Sequence, residues 1–442
     1  MGFTAPTDFA RSSKNPQASW RARALASWRA IRAHPGAVTL VVFAVYAASI
    51  WLSFGVQHQN PRALATIGTY FIQKGGAASP LLQRDLRLSQ PAGVYGYDGQ
   101  FSYFIAMDPL HAAPYIDDPS YRYQRILYPL AARALALGDP ARIPYTLVIV
   151  NALAMVAGSL AIALWLRRRG VTPWIALIFG LFPGLFFAFR HDLTEPLGFA
   201  FLAWGVLALD WPRSRGRLVA AAACFALATL SREVTLLISA PYALALAWPE
   251  ITKLAWRDWA AIRPGVVRAA AVLAGSVGPF LLWKIALLGI LGPSGFAGAA
   301  YLPFSAPFAG LLSYWSQITT APIVTQVYFI AVPGAIAATA AILALLRRPG
   351  GWQTATIALA LNALYLCVFL PRDSYFDYSS SGRIQSGIVL AAILALPVFD
   401  RLWRQSRGWF WAASALWLAP LWQFGLQPIL QGYLQYLHHI LA

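Results

Sequence analysis

From Ala37 to Phe54 the chain runs eighteen residues without a charged side chain. A helix of that length approaches the ~30 Å of a bilayer's hydrocarbon core, and the run is too long for the apolar part of a signal peptide, so it reads as an anchor that stays attached. Ten more apolar runs follow, near 144–166, 172–189, 195–211, 217–231, 234–249, 266–290, 322–346, 352–370, 384–399 and 409–430. The chain is therefore expected to be an all-α polytopic membrane protein with about eleven transmembrane helices. Composition supports this, since 59% of the 442 residues are hydrophobic and 11% are charged. The spans 195–211, 217–231 and 234–249 are short for a full crossing and fit little tilt, local thinning or partial re-entry.

The net charge of +18 is distributed unevenly over this topology. Residues 1–36 form a basic arm with Arg11, Lys14, Arg21, Arg23, Arg29 and Arg32 against one acid, Asp8. Every second loop after it is also basic: RRR at 167–169, RSRGR at 213–217, Lys253 to Arg268, RR at 347–348 and DRLWRQSR at 400–407. That side carries 21 Lys/Arg and 5 acids, the other 13 and 11. By the positive-inside rule the N-terminus is cytoplasmic, and the high charge reports orientation rather than a nucleic-acid partner. The opposite side, where both signs crowd together, is where chemistry is expected. Residues 37–442 are read as one transmembrane domain.

Its longest non-spanning segment, 56–143, exceeds ordinary loop length. Residues 61–73, 99–107 and 121–137 read as short amphipathic helices whose Tyr, Phe and Arg side chains suit a headgroup region, so the segment is pictured as a structured periplasmic lid. Within it, Asp98 sits in GVYGYDGQFSYFIAMDPL beside Tyr95, Tyr97 and Gln100. An Asp before a helix-like run is suited to N-capping, and a carboxylate fixed there is equally suited to act as a general base toward a hydroxyl. The turn RHDLTEP places Arg190, His191, Asp192 and Glu195 between two spans on the same side. Four ionisable groups beside hydrocarbon are expected to face a cavity and pair with one another, with Asp192 or Thr194 available as a cap. Arg232 and Glu233 in SRE, and Arg372, Asp373, Asp377 and Arg383 in PRDSYFDYSSSGR, also fall on that side. Arginine's planar fork suits a lipid phosphate where water is scarce.

Asp98, His191, Asp192 and Glu195 could converge on a divalent cation such as Mg or Mn, although no spacing demands a metal and none is assigned. Cys224 and Cys367 both lie in apolar runs and form no disulfide framework. No P-loop, GxSxG, HExxH or paired CxxC is present, and the His438–His439 pair near the end of the chain reads as incidental.

The long first loop with its acid, the acidic turn between spans three and four, and the absence of a soluble catalytic domain together resemble the GT-C class of integral-membrane glycosyltransferases. More narrowly, GYDGQFSYFIAMDPL followed by YRYQRILYPL is similar to a bacterial family that forms cell-surface glycopolymers, in which YDGQ-type and RYxRILYP-type segments recur. The resemblance implies transfer of a sugar from a polyprenyl-phosphate donor to a glycan or lipid acceptor at the periplasmic face of the inner membrane. It makes Asp98 the base, with Asp192 and Glu195 as candidates to share the task, because better-known members carry an adjacent acidic pair where this chain has Asp98 followed by Gly99. Arg190, Arg232, Arg372 and Arg383 are then expected to hold the donor phosphate. Tyr95, Tyr97, Gln100, Arg125, His191 and Glu233 are expected to line the substrate site.

Two other readings share these charges. A lipid-linked-sugar flippase would need them too, but along the spans rather than at one end, and Lys284 is the main such residue. A non-catalytic subunit of a polysaccharide assembly complex would not require the charged turns to converge.

Overall fold

The computed structural model describes residues 34–56, 58–212, 214–247, 259–295, 305–310, 312, 325–347, 353–375, 378–402 and 407–441. Nearly all of the expected basic arm, residues 253–258 of the basic loop Lys253 to Arg268, and the Asp377 position lie outside them. The described residues form helices and connecting turns, with no strand among them. Five helices are long and apolar enough to cross a membrane: Pro35–Val56, Pro140–Arg168, Ile262–Leu291, Val327–Leu346 and Tyr378–Leu402. A sixth candidate is the pair Pro173–Gly180 and Pro183–Arg190, bent by 48° at the Leu181–Phe182 break, where Pro183 begins the second helix. Shorter apolar helices at Glu195–Leu209, Glu233–Leu244 and Thr354–Phe369 occupy three more of the expected crossings. This is a membrane-embedded helical bundle.

The Tyr378–Leu402 helix is its central pillar, buried along almost its whole apolar length. Nothing in its sequence from Ser386 to Phe399 is charged, so it can be enclosed on every side by other helices. The Glu195–Leu209 helix packs against Ile143–Arg168 on one flank and Arg215–Ser231 on the other. Glu195 is the first residue of its helix, and Arg383 lies in the last turn of the short Tyr378–Ile384 helix that leads into Ser386–Leu402.

The 56–143 segment is structured, as its composition required, and forms a second apolar core beside the bundle. The expected helix at 61–73 is instead a turn of tight helix at Pro61–Ala65 and a helix at Thr69–Gly75, broken around Gly68. A Cβ on Gly68 would lie 2.3 Å from the Tyr95 carbonyl carbon, so this close approach of two backbone segments requires a glycine. Residues 121–137 likewise divide into Pro119–Tyr123 and Leu127–Leu135. The helix at Gly99–Met107 falls where expected, but it is not amphipathic: all nine of its residues are buried. Its Tyr and Phe side chains form the middle of the lid's own core, which outweighs any headgroup preference. Arg62 grips Asp85 through two hydrogen bonds of 3.0 and 2.5 Å, and Tyr103 donates to the same carboxylate. The lid is tied to the bundle by the Trp283 indole, which donates to the Tyr123 carbonyl at 2.7 Å.

Candidate active site

The loop YGYDGQ is held by a backbone bond from Tyr97 N–H to the Thr66 carbonyl and by one side-chain amide. Gln100, 1% exposed, accepts from the Gly68 N–H at 3.0 Å and donates to the Tyr95 carbonyl at 2.8 Å. Both ends of its side chain are thus engaged by backbone, so Gln100 clamps the loop rather than facing a substrate. Gly99 is fixed by a neighbour: a Cβ there would stand 1.8 Å from the His191 carbonyl oxygen. The start of the Gly99–Met107 helix therefore abuts the RHDLTEP turn, and Asp98 is delivered to the seam between lid and bundle.

At that seam Asp98 does not act as a cap. Its side chain makes no bond to the helix N-terminus. Instead it accepts from Arg122 at 2.9 Å through one oxygen and from Arg383 at 2.6 Å through the other. Two guanidiniums outcompete the backbone amides because their full charges strengthen the hydrogen bond. Arg122 also holds Asp117, at 2.9 and 2.6 Å. Arg383 reaches on to Glu195 at 3.3 Å, and Arg232 meets the same Glu195 oxygen at 3.3 Å. Arg125 grips Glu233 with bonds of 2.9 and 2.5 Å. Four arginines and two carboxylates, Asp98 and Glu195, thus line a cavity of about 20 Å³, room for one water, while Asp117 and Glu233 hold Arg122 and Arg125 from outside it.

Burial by itself would push the Asp98 carboxyl up, but the Arg122 and Arg383 guanidiniums outweigh it and hold the group well below the usual carboxylate range. Asp98 is ionised at rest and, so clamped, a weak base. The network is charge-balanced but not saturated. Arg232 Nε, Arg383 Nε and Glu195 Oε2 are all buried without a partner among the described residues.

The expected residues sort by position. Asp98, Glu195, Arg125, Arg232 and Arg383 line this cavity. Glu233 borders it through Arg125. Tyr97 lies 5.6 Å under the Arg383 guanidinium and donates to Ser379 at 3.0 Å. Asp192 is turned away: it is fully buried, accepts from Tyr128 at 3.4 Å, and adopts a left-handed φ of 51°. Burial pushes its carboxyl well above the ordinary value. With Asn151, which donates to the Tyr128 hydroxyl and the Leu193 carbonyl, Asp192 braces the turn that presents Glu195. Neither Asp192 nor Thr194 caps the following helix through its side chain. Arg190 and His191 open onto a different cavity, and Tyr95 is 69% exposed beside Tyr70. The Arg372 side chain lies outside the described residues.

Sequence reasoning missed Arg122. Its signal was the Arg122–Arg125 spacing, which puts two guanidiniums at one end of the short Pro119–Tyr123 helix, where both pack on the Tyr121 ring. No group of three His, Cys, Asp or Glu comes together for a metal among the described residues, and the carboxylates of the cavity face arginines instead. Comparison with protein families, curated proteins and solved structures yields no match.

Proposed function

We propose that this protein is a GT-C-type glycosyltransferase that moves a sugar from a polyprenyl-phosphate donor to a glycan or lipid acceptor at the periplasmic face of the bacterial inner membrane. The arrangement of eleven crossings with a cytoplasmic N-terminus belongs to the same proposal. One observation carries it: a single guanidinium, Arg383, bridges the candidate base Asp98 and Glu195, the carboxylate that Arg232 also meets, so the base and two candidate phosphate-binding arginines share one cavity.

The chemistry follows from charge conservation. The acceptor hydroxyl oxygen bonds to the anomeric carbon, and the bond from that carbon to the phosphate oxygen breaks. The hydroxyl proton passes to Asp98, and the departing phosphate gains the negative charge that Asp98 loses. Arg383 and Arg122 neutralise Asp98 beforehand and are released as it protonates, so Arg383 and Arg232 can meet the growing charge on the leaving group. Donor arrival starts the exchange: a phosphate that draws Arg383 toward itself loosens the clamp on Asp98 and strengthens it as a base. The resting cavity has room for only one water, so donor entry must open the seam between lid and bundle.

The test is transfer of radiolabelled sugar from synthetic polyprenyl-phosphate sugars by purified protein in nanodiscs. Asp98-dependent product supports the reading. Donor movement between leaflets with no product would assign the chain to lipid flipping instead.

A further inference from the structure

Behind Tyr97 lies a second cavity of about 510 Å³, polar in its lining. Its walls come from His58 to Thr66, from Gln90 in the lid, and from Arg190 and His191 at the bundle's edge. The Tyr97 ring separates it from the Asp98 cavity, packing 5.5 Å from His191 on one side and 5.6 Å from the Arg383 guanidinium on the other.

Arg190 distinguishes this cavity. The four arginines of the first cavity each face a carboxylate, yet Arg190 has neither an ion pair nor a hydrogen bond among the described residues. No Asp or Glu lines the space. A guanidinium at the end of an apolar helix is costly to leave without a counter-charge. Its nearest ionisable neighbour, His191, is stacked on Phe187 at 3.9 Å and bonded to the Phe187 carbonyl. The remaining lining offers neutral polar groups, and two of its residues, His58 and Thr66, hold left-handed φ values of 48° and 53°. For β-branched Thr66 that is a strained conformation of the kind that gathers at binding sites.

We propose that this cavity binds a carbohydrate bearing an oxyanion, a carboxylate or a phosphate: Arg190 grips the anion in bidentate fashion, and Thr66, Gln90 and the imidazoles bind hydroxyls. Its volume suits one to two sugar rings. Calling it the acceptor site rests on the transferase reading; its anion chemistry does not.

The experiment titrates the full chain in nanodiscs with methyl glucuronide, glucose 6-phosphate, methyl glucoside and inorganic phosphate, following intrinsic fluorescence. An acidic sugar should bind about tenfold or more tighter than the neutral glucoside, the margin of one charge-assisted contact. Arg190→Gln should abolish that difference. Gln90→Glu, which sets a negative charge on the exposed rim, should weaken the acidic sugars by a larger factor than methyl glucoside. The glucuronide and the sugar phosphate together tell which oxyanion is preferred. Equal binding of neutral and acidic sugars, no binding of either, or unchanged acidic binding in Arg190→Gln would overturn the proposal. Inorganic phosphate binding as tightly as glucose 6-phosphate would overturn its carbohydrate half. Asp98→Asn should retain acidic-sugar binding while losing transfer, so loss of the transferase reading would leave this result standing.

Discussion

Arg383 donates to Asp98 at 2.6 Å across 285 residues of sequence, and among the described residues it alone bonds both Asp98 and Glu195. Its removal should act on both donor binding and basicity. In Arg383→Gln, donor affinity should fall by on the order of 2 kcal/mol, the worth of a charge-assisted contact. The Asp98 carboxyl, relieved of one guanidinium, should rise toward its ordinary value, so the acid limb of the kcat/KM profile should move to higher pH. Rate profiles in the two proteins settle this, and an unmoved limb would show that Asp98 is not the titrating base.

Asp98→Asn should lower transfer by about 10²- to 10⁴-fold, the usual loss for a general base. It should also destabilise the fold by about 1–3 kcal/mol, because two guanidiniums lose a carboxylate while each keeps a second one. Since the side chain caps nothing, Asp98→Ala should lose little more stability than Asp98→Asn. Thermal denaturation in detergent compares them, and a large extra deficit in the Ala variant would restore a capping role.

Gly99→Ala should be far more damaging than an ordinary helix substitution. The added Cβ meets backbone at 1.8 Å, so the lid or the RHDLTEP turn must shift. Transfer should drop together with thermal stability, by the ~1–3 kcal/mol or more that overpacking costs. Folding and activity at wild-type levels would mean the two segments do not abut.

His191 gives a pH dependence of stability. Burial, aided by the Arg190 and Arg383 charges, brings its imidazole down to about 4, against about 6.5 unfolded. A depressed imidazole means the unfolded chain binds the extra proton between those values, so stability from this group is complete above pH 6.5 and is lost as pH falls toward 4. His191→Phe, which keeps the stack on Phe187, should show a smaller drop in Tm between pH 7 and pH 5 than the wild type. An equal drop would place the sensitivity elsewhere.

Orientation is checked by labelling single cysteines after Cys224 and Cys367 are replaced by Ser. Ala77→Cys in the lid should react with an impermeant maleimide from the periplasmic side, and Gly216→Cys only after the membrane is opened. The reverse pattern would invert the topology.

The sequence alone determined that this chain is helical and membrane-embedded, because an apolar run's length and the lack of charge within it are local properties that no tertiary contact can undo. It also located Asp98, Glu195, Arg232 and Arg383, since charges beside hydrocarbon are conspicuous in one dimension. What it could not assign was partnership. The i to i+3 spacing of Arg122 and Arg125 did not say that one would hold Asp98 and the other Glu233. Nor did adjacency reveal that Asp192 turns inward to Tyr128 while Glu195, three residues on, faces the cavity. Gln100 looked like a ligand group and became a loop clamp, and the aromatic helix after Asp98 looked interfacial and became a core. Each of these depends on which surfaces meet when lid packs on bundle. Buried charges are satisfied by whatever lies within hydrogen-bond reach in three dimensions, and for Asp98 and Arg383 that reach spans 285 positions of chain.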